Sequence, residues 1–224
     1  MSGNLLTFSG LDGAGKSTQI ELCMAHLQSL GEYPIYLWIR GGYTPGFNWF
    51  KTLLRKMSGG RAAPPGPSAQ RTLAFQRGSI RRWWLRLALL DMLWLLGVQV
   101  RWWQLRGHVI VCDRYMEDTL IDFRLNFPQD EVEQWKLWRF LQWAAPKPDA
   151  SFLLLIPVEE SIRRSRQKNE PFPDTPEALR NRLEQYQAMM QSTGWRILDG
   201  RQPIDVLAEI IKQDVDKLLT KKGV

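Results

Sequence analysis

Two cysteines and two histidines in 224 residues are the scarcest chemistry in this chain. Cys23 and Cys112 each sit inside an apolar segment, where a free thiol behaves as a small hydrophobe. A disulfide framework is therefore not expected, and the reducing cytoplasm is the compartment that follows. His26 falls in a helical pattern and His108 at the start of a strand pattern, so both read as structural rather than as general bases. Long apolar runs are missing too. The most apolar segment, Leu85 to Val100, is interrupted by Arg86 and Asp91, which leaves no uninterrupted span of bilayer length and argues against a membrane-crossing helix. The first apolar run is short and passes straight into a glycine-rich turn, which is not the pattern of a secretory leader. There is no internal repeat and no composition break, so residues 1–224 are expected to form one domain.

Positive charge is in excess: 30 Lys and Arg against 23 Asp and Glu give a net +7. That balance suits a nucleic acid, an anionic membrane surface or an enzyme that grips several phosphates, and charge alone does not choose among them.

The choice is made by Gly10-Leu11-Asp12-Gly13-Ala14-Gly15-Lys16-Ser17-Thr18, a full match to G-x-x-x-x-G-K-[ST]. The apolar run Leu5–Phe8 before it reads as a buried strand, and Gln19–Leu27 after it carries helical periodicity. A strand feeding such a turn and then a helix start aims backbone N–H groups at one point, where the helix dipole also favours negative charge. Gly10, Gly13 and Gly15 permit positive φ, Lys16 reaches the β- and γ-phosphates, and the Ser17 hydroxyl completes a Mg²⁺ shell. Residues 10–18, with Asp12, Ala14 and Thr18 among them, form the expected ATP-binding segment.

Strand-like runs at Leu5–Phe8, Ile35–Ile39, Val109–Cys112, Phe152–Ile156 and Trp195–Leu198 alternate with helical patterns. The expected fold is a phosphate-loop NTPase-type α/β domain, a parallel sheet of about five strands with helices on both faces. Residues 58–68, rich in glycine and proline, are expected to be a mobile surface loop between helices near Phe47–Met57 and from Arg71 onward. From Arg81 to Arg106, Trp84, Leu87, Leu95, Val98, Trp102 and Leu105 trace one apolar stripe. Asp91 falls inside it, so that carboxylate either lines a cleft or is held in a structural ion pair.

Val109–Cys112 leads into Asp113-Arg114-Tyr115. Ligands of such sheets bind outside the carboxyl ends of the strands, which puts Asp113 near the phosphate loop as a Mg²⁺ holder. Hydrolytic ATPases usually follow this aspartate with a water-activating glutamate, and here Arg114 follows, which suits a phosphate instead. The guanine-reading Asn/Thr-Lys-x-Asp motif is also missing, so phosphoryl transfer to an acceptor leads over GTP hydrolysis. Residues 159–176 form a basic helical hairpin, with Arg163, Arg164, Arg166 and Lys168 on its first arm and a break at Asn169–Pro173. Over a bound nucleotide it would be a lid that excludes water and offers guanidinium groups to the transferring phosphoryl; alone, it is a solvated basic helix.

With these motifs in place, the chain resembles the thymidylate kinases from end to end. Phe8–Gln19 is similar to the family's loop, Asp113-Arg114-Tyr115 to its Asp-Arg-Tyr/His motif, and Lys147-Pro148-Asp149 and Leu198-Asp199-Gly200 to two later motifs. The resemblance implies transfer of the γ-phosphoryl of ATP to dTMP. Lys16 would bind and neutralise the phosphates, Ser17 and Asp113 would organise Mg²⁺, and Arg114 would hold the acceptor phosphate. Arg40 would match the arginine of the family's Arg-Glu-Pro-Gly-Gly-Thr, Asp12 and Asp91 would lie on the acceptor side, and Arg163, Arg164 and Arg166 would be the lid cations. The departures are Arg40-Gly41-Gly42 without Glu-Pro, and Asp91-Met92 where the family has Asp-Arg, an arginine that helps read thymine. A different acceptor, such as a nucleoside, a sugar or a membrane-linked phosphate, therefore stays in view. The tryptophans between Arg71 and Arg106 add two partner readings: a homodimer face, and a nucleic-acid or membrane surface in which rings and arginines interleave.

Overall fold

The computed structural model describes residues 3–40, 78–168 and 174–222. The five expected strands are there: β1 Leu5–Gly10, β2 Ile35–Trp38, β3 Ile110–Asp113, β4 Ala150–Leu155 and β5 Arg196–Asp199. They form one parallel sheet of order β2-β3-β1-β4-β5. Every connection between parallel neighbours needs a crossover, and helices supply the described ones: α1 Lys16–Ser29, α2 Gly78–Leu105, α3 Met116–Asn126, α4 Lys136–Ala144, α5 Val158–Gln167, α6 Pro176–Met189 and α7 Ile204–Lys222. This is the phosphate-loop NTPase α/β fold.

Because side chains alternate across a strand, adjacent residues enter different cores. Leu6, Phe8 and Val111 pack on the side of α1, α6 and α7, whereas Leu5, Ile110 and Cys112 pack on the side of α2, α3 and α4. Burial on both faces explains why these strands read as continuous apolar runs. Asp149 secures the sheet's starting edge: its carboxylate accepts the Leu5 N–H at 2.8 Å, and its own N–H donates to the Leu5 carbonyl. Both thiols are buried and free, and burial pushes Cys23 up to about 12, so they act as hydrophobes. His26 pairs with Asp216 at 2.7 Å, linking α1 to α7.

The stripe expected on α2 is corrected. Of Trp84, Leu87, Leu95, Val98, Trp102 and Leu105, only Leu95 is buried, and Val98, Trp102 and Leu105 face solvent. The inward face is Leu85, Ala88, Leu89, Met92, Leu96 and Val100. The helix is apolar on both faces, which leaves its phase open, and Leu95–Val100 is a π-helical turn whose wider pitch rotates everything after it. Arg86 and Asp91 do not break it either: Gly78–Leu105 is continuous, long and apolar enough to cross a membrane by length and composition, with 39% of its most apolar window buried inside the protein. The loop expected at 58–68, the helix near Phe47–Met57 and the break at Asn169–Pro173 lie outside the described residues.

Candidate active site

β1 ends where the turn must begin. Gly10 has φ of 140°, and a Cβ there would stand 2.2 Å from the Leu154 carbonyl oxygen of neighbouring β4, so only glycine fits. Gly13 (φ 76°) and Gly15 (φ 94°) turn the chain into α1, whose N-cap Gly15 provides no side-chain cap. The first N–H groups of α1 therefore stay open to an anion. Lys16 is buried and curls back, donating to the Gly10 carbonyl at 3.0 Å and the Leu11 carbonyl at 2.8 Å. Burial, with Arg114 nearby, lowers its pKa to about 8.

β3 delivers the second half. Asp113 stands level with Phe8 of β1 and Trp38 of β2 and is 8% exposed. Burial raises its pKa, overriding the pull of Lys16 and Arg114. Tyr36 Oη lies 3.5 Å from one carboxylate oxygen, and the other is buried with no hydrogen-bond partner. A carboxylate oxygen with no hydrogen-bond partner, on a residue that lines one cavity with Ser17, is a donor set that fits a hard divalent cation. Arg114 adopts φ of 73°, a left-handed conformation that costs a non-glycine residue about 1–3 kcal/mol and is kept only where its surroundings hold it. Its N–H donates to the Phe8 carbonyl at 2.8 Å, and its guanidinium reaches Asp12 at 2.6 Å and Asp118 at 3.6 Å. Burial pushes the Asp12 carboxyl up, but Arg114 and Lys16 outweigh it and hold the pKa below the ordinary value.

A cavity of about 230 Å³ joins these groups, lined by Asp12, Gly13, Gly15, Lys16, Ser17, Trp38, Arg40, Asp113, Arg114 and Lys168. Asp91 is half-buried on α2 and is not among the lining residues. The α5 arginines differ in place. Glu160 accepts from both Arg163 and Arg164, but Arg164 also donates to the carbonyls of Gly13 at 3.2 Å and Gly200 at 3.0 Å, whereas Arg163 and Arg166 are exposed. Ser161 Oγ also donates to the Asp12 carbonyl at 2.6 Å, tying α5 to the loop.

Residue-by-residue reading missed a buried polar ladder behind the cavity. Asp118 accepts from Ser9 Oγ and Tyr186 Oη, each at 2.6 Å, and from the Tyr115 N–H at 3.0 Å. Asp122 joins Arg40 (3.0 Å) to Arg182 (2.6 Å), and Arg182 also lies 3.6 Å from Asp174. The signal was there to find: Asp118 and Asp122 are four apart just after Asp113-Arg114-Tyr115, and Arg182 and Tyr186 are four apart on α6, so each pair occupies one helix face.

With this geometry established, comparison with known proteins becomes informative. A thymidylate kinase of Bartonella henselae is 26% identical over 230 residues, covering 98% of both chains. One of Thermomicrobium roseum is 28% identical over 227 residues (97% of this chain, 96% of the relative), and one of Herpetosiphon aurantiacus 26% over 198 (88% and 76%). The chain is thymidylate kinase-like along its length. No family model matches it. The thymidylate kinase-like sequence thus carries its phosphate loop and its Asp113-Arg114 pair into one cavity. Met92, at the position where the resemblance implies an arginine, is fully buried in the core beside α3 and α4.

Proposed function

We propose that this chain is an ATP- and Mg²⁺-dependent phosphotransferase of the cytoplasm that moves the γ-phosphoryl of ATP to a nucleoside monophosphate, dTMP first. The observation that carries the reading is the meeting of Lys16 from the start of α1 with Arg40 and Arg114 from beyond the ends of β2 and β3, around the Asp113 carboxylate in one cavity. Nearly all of the catalysis is then positioning and charge neutralisation. The open N–H groups of α1 and Lys16, released from the Gly10 and Leu11 carbonyls, take the ATP phosphates. Arg114 and Arg40 hold the acceptor phosphate, and an ionised monophosphate needs no strong base. Ser17 and Asp113 would hold Mg²⁺, which lowers the charge on the phosphates. Residues 159–176 act as the lid of a single domain, with Lys168 lining the cavity, Arg164 tied to the phosphate loop at Gly13, and Arg163 and Arg166 available on closure.

A second acceptor class on the same chemistry has its own support, because Met92 fills the core and Arg40 is shared with Asp122. ADP release across a panel of nucleoside monophosphates, with dTMP, dUMP and a no-acceptor control, tests both. Stimulation by dTMP is expected. No stimulation by any nucleotide, from protein that ATP still protects against thermal unfolding, overturns the monophosphate acceptor and leaves the phosphate site standing.

A further inference from the structure

The outer face of α2 is not needed for the transfer chemistry. Trp83, Leu90, Trp94, Val98, Trp102 and Leu105 are all exposed, Trp83 at 64% and Leu105 at 75%. They recur at three-, four- and seven-residue intervals, so they form one stripe of about 33 Å at 1.5 Å per residue. The opposite face is locked in the core through Leu85, Ala88, Leu89, Met92 and Leu96, each fully buried. The helix can therefore lie against an apolar phase but cannot leave the protein to cross one.

Charge marks both ends of the stripe. Arg101 and Arg106 flank its carboxyl-terminal end, where the Arg106 guanidinium sits 4.4 Å from the Trp102 ring centre. At the other end a cavity of about 770 Å³, larger than the phosphate pocket, is lined by Arg81, Arg82, Arg86 and Lys136 beside Trp135. Arg81 donates to Asp130 in its wall and Arg82 lies 3.8 Å from the same carboxylate, whereas the Arg86 guanidinium lies 5.8 Å from the Trp83 ring centre and 5.5 Å from that of Trp135. α4 runs alongside and adds a stacked pair, Phe140 and Trp143, the latter 76% exposed. Tryptophan rings between arginines, along a helix held parallel to the surface, match a bilayer interface: the rings settle at headgroup depth and the cations meet lipid phosphates.

We propose that α2 docks the protein on an anionic phospholipid membrane, its tryptophan stripe entering the interface and the Arg82-Arg86-Lys136 cavity taking an acidic headgroup. This interaction is independent of which acceptor the phosphate site uses. The full chain is sedimented with vesicles of pure phosphatidylcholine and with vesicles containing about 30% phosphatidylglycerol, without nucleotide, at low and high salt. Partitioning onto the anionic vesicles is expected to exceed that onto phosphatidylcholine by at least about tenfold and to fall with salt. Trp94→Ser with Trp102→Ser should lower it about tenfold, and Arg82→Glu with Arg86→Glu should bring it to the phosphatidylcholine level. Both variants must keep the thermal shift given by ATP, which reports an intact fold. Equal binding to both vesicle types, or variants that bind like the parent, overturns the proposal. So does a mass twice that of the chain that the Trp94→Ser, Trp102→Ser variant halves, because the face would then belong to a second copy. Tighter binding to a single-stranded oligonucleotide than to anionic vesicles overturns it as well.

Discussion

Replacing Lys16 with methionine should make the nucleotide-free protein more stable while abolishing turnover. Lys16 is 7% exposed, and its pKa falls from an ordinary 10.5 to about 8, burial being the main cause. At 1.36 kcal/mol per pKa unit, holding lysine charged there costs the fold about 3 kcal/mol. Losing the two hydrogen bonds to the Gly10 and Leu11 carbonyls returns about 1–2 kcal/mol of that. The net gain is about 1–2 kcal/mol, or a melting temperature higher by about 3–6 °C for a chain of this length. The pH dependence fixes the sign. Between about pH 8 and pH 10 the unfolded chain binds the lysine proton and the native chain has lost it, so the parent gains stability as pH rises and Lys16→Met does not. The advantage of the variant is thus full below pH 8 and gone near pH 10. Thermal unfolding at several pH values, with and without ATP, reads all of this, and saturating ATP should invert the order because only the parent is stabilised by tight binding. A variant less stable than the parent near neutral pH, or an advantage that grows with pH, would refute the reasoning.

The same cavity yields further expectations. Asp113→Asn should raise the Mg²⁺ requirement at least about tenfold and cut phosphoryl transfer about a hundredfold, measured by Mg²⁺ titration of ADP release; an unchanged Mg²⁺ dependence removes Asp113 from metal binding. Arg114→Ala should raise KM for the acceptor by more than about tenfold and for ATP by less than about threefold, and equal changes argue against an acceptor role. Because it leaves buried Asp118 without its cation and Asp12 with Lys16 alone at 4.0 Å, it should also destabilise the protein by about 3 kcal/mol in a denaturant melt. Arg164→Ala should weaken nucleotide binding, since it severs the links to Gly13 and Gly200, whereas Arg163→Ala should leave it within about twofold, Arg163 being an exposed partner of Glu160. Calorimetric ATP titration separates the two, and the reverse ranking would place the lid the other way.

The five strands and the phosphate loop were legible residue by residue because their causes are local: strands buried on both faces must be apolar throughout, and a turn at Gly10 that leaves no room for a Cβ must be glycine. Charge chemistry at a strand end is legible too: the sheet rule alone brings Asp113 near the phosphate loop, and the cavity it lines holds Lys16. The phase of α2 was not, since a helix apolar all round carries no marker of its inward side and the π turn at Leu95–Val100 answers to packing rather than to composition. Nor was the ranking of Arg164 over Arg163, one residue apart on the same helix, which depends on where α5 meets Gly13. The ladder of Asp118 with Tyr186 and Asp122 with Arg182 pairs residues 68 and 60 apart along the chain. By itself the sequence determined which groups could bind phosphate and that a parallel sheet would carry them. The tertiary structure decided which cations reach the cavity, which are neutralised behind it, and which tryptophans are left facing outward, because burial and distance exist only once α2, α3, α5 and α6 have packed.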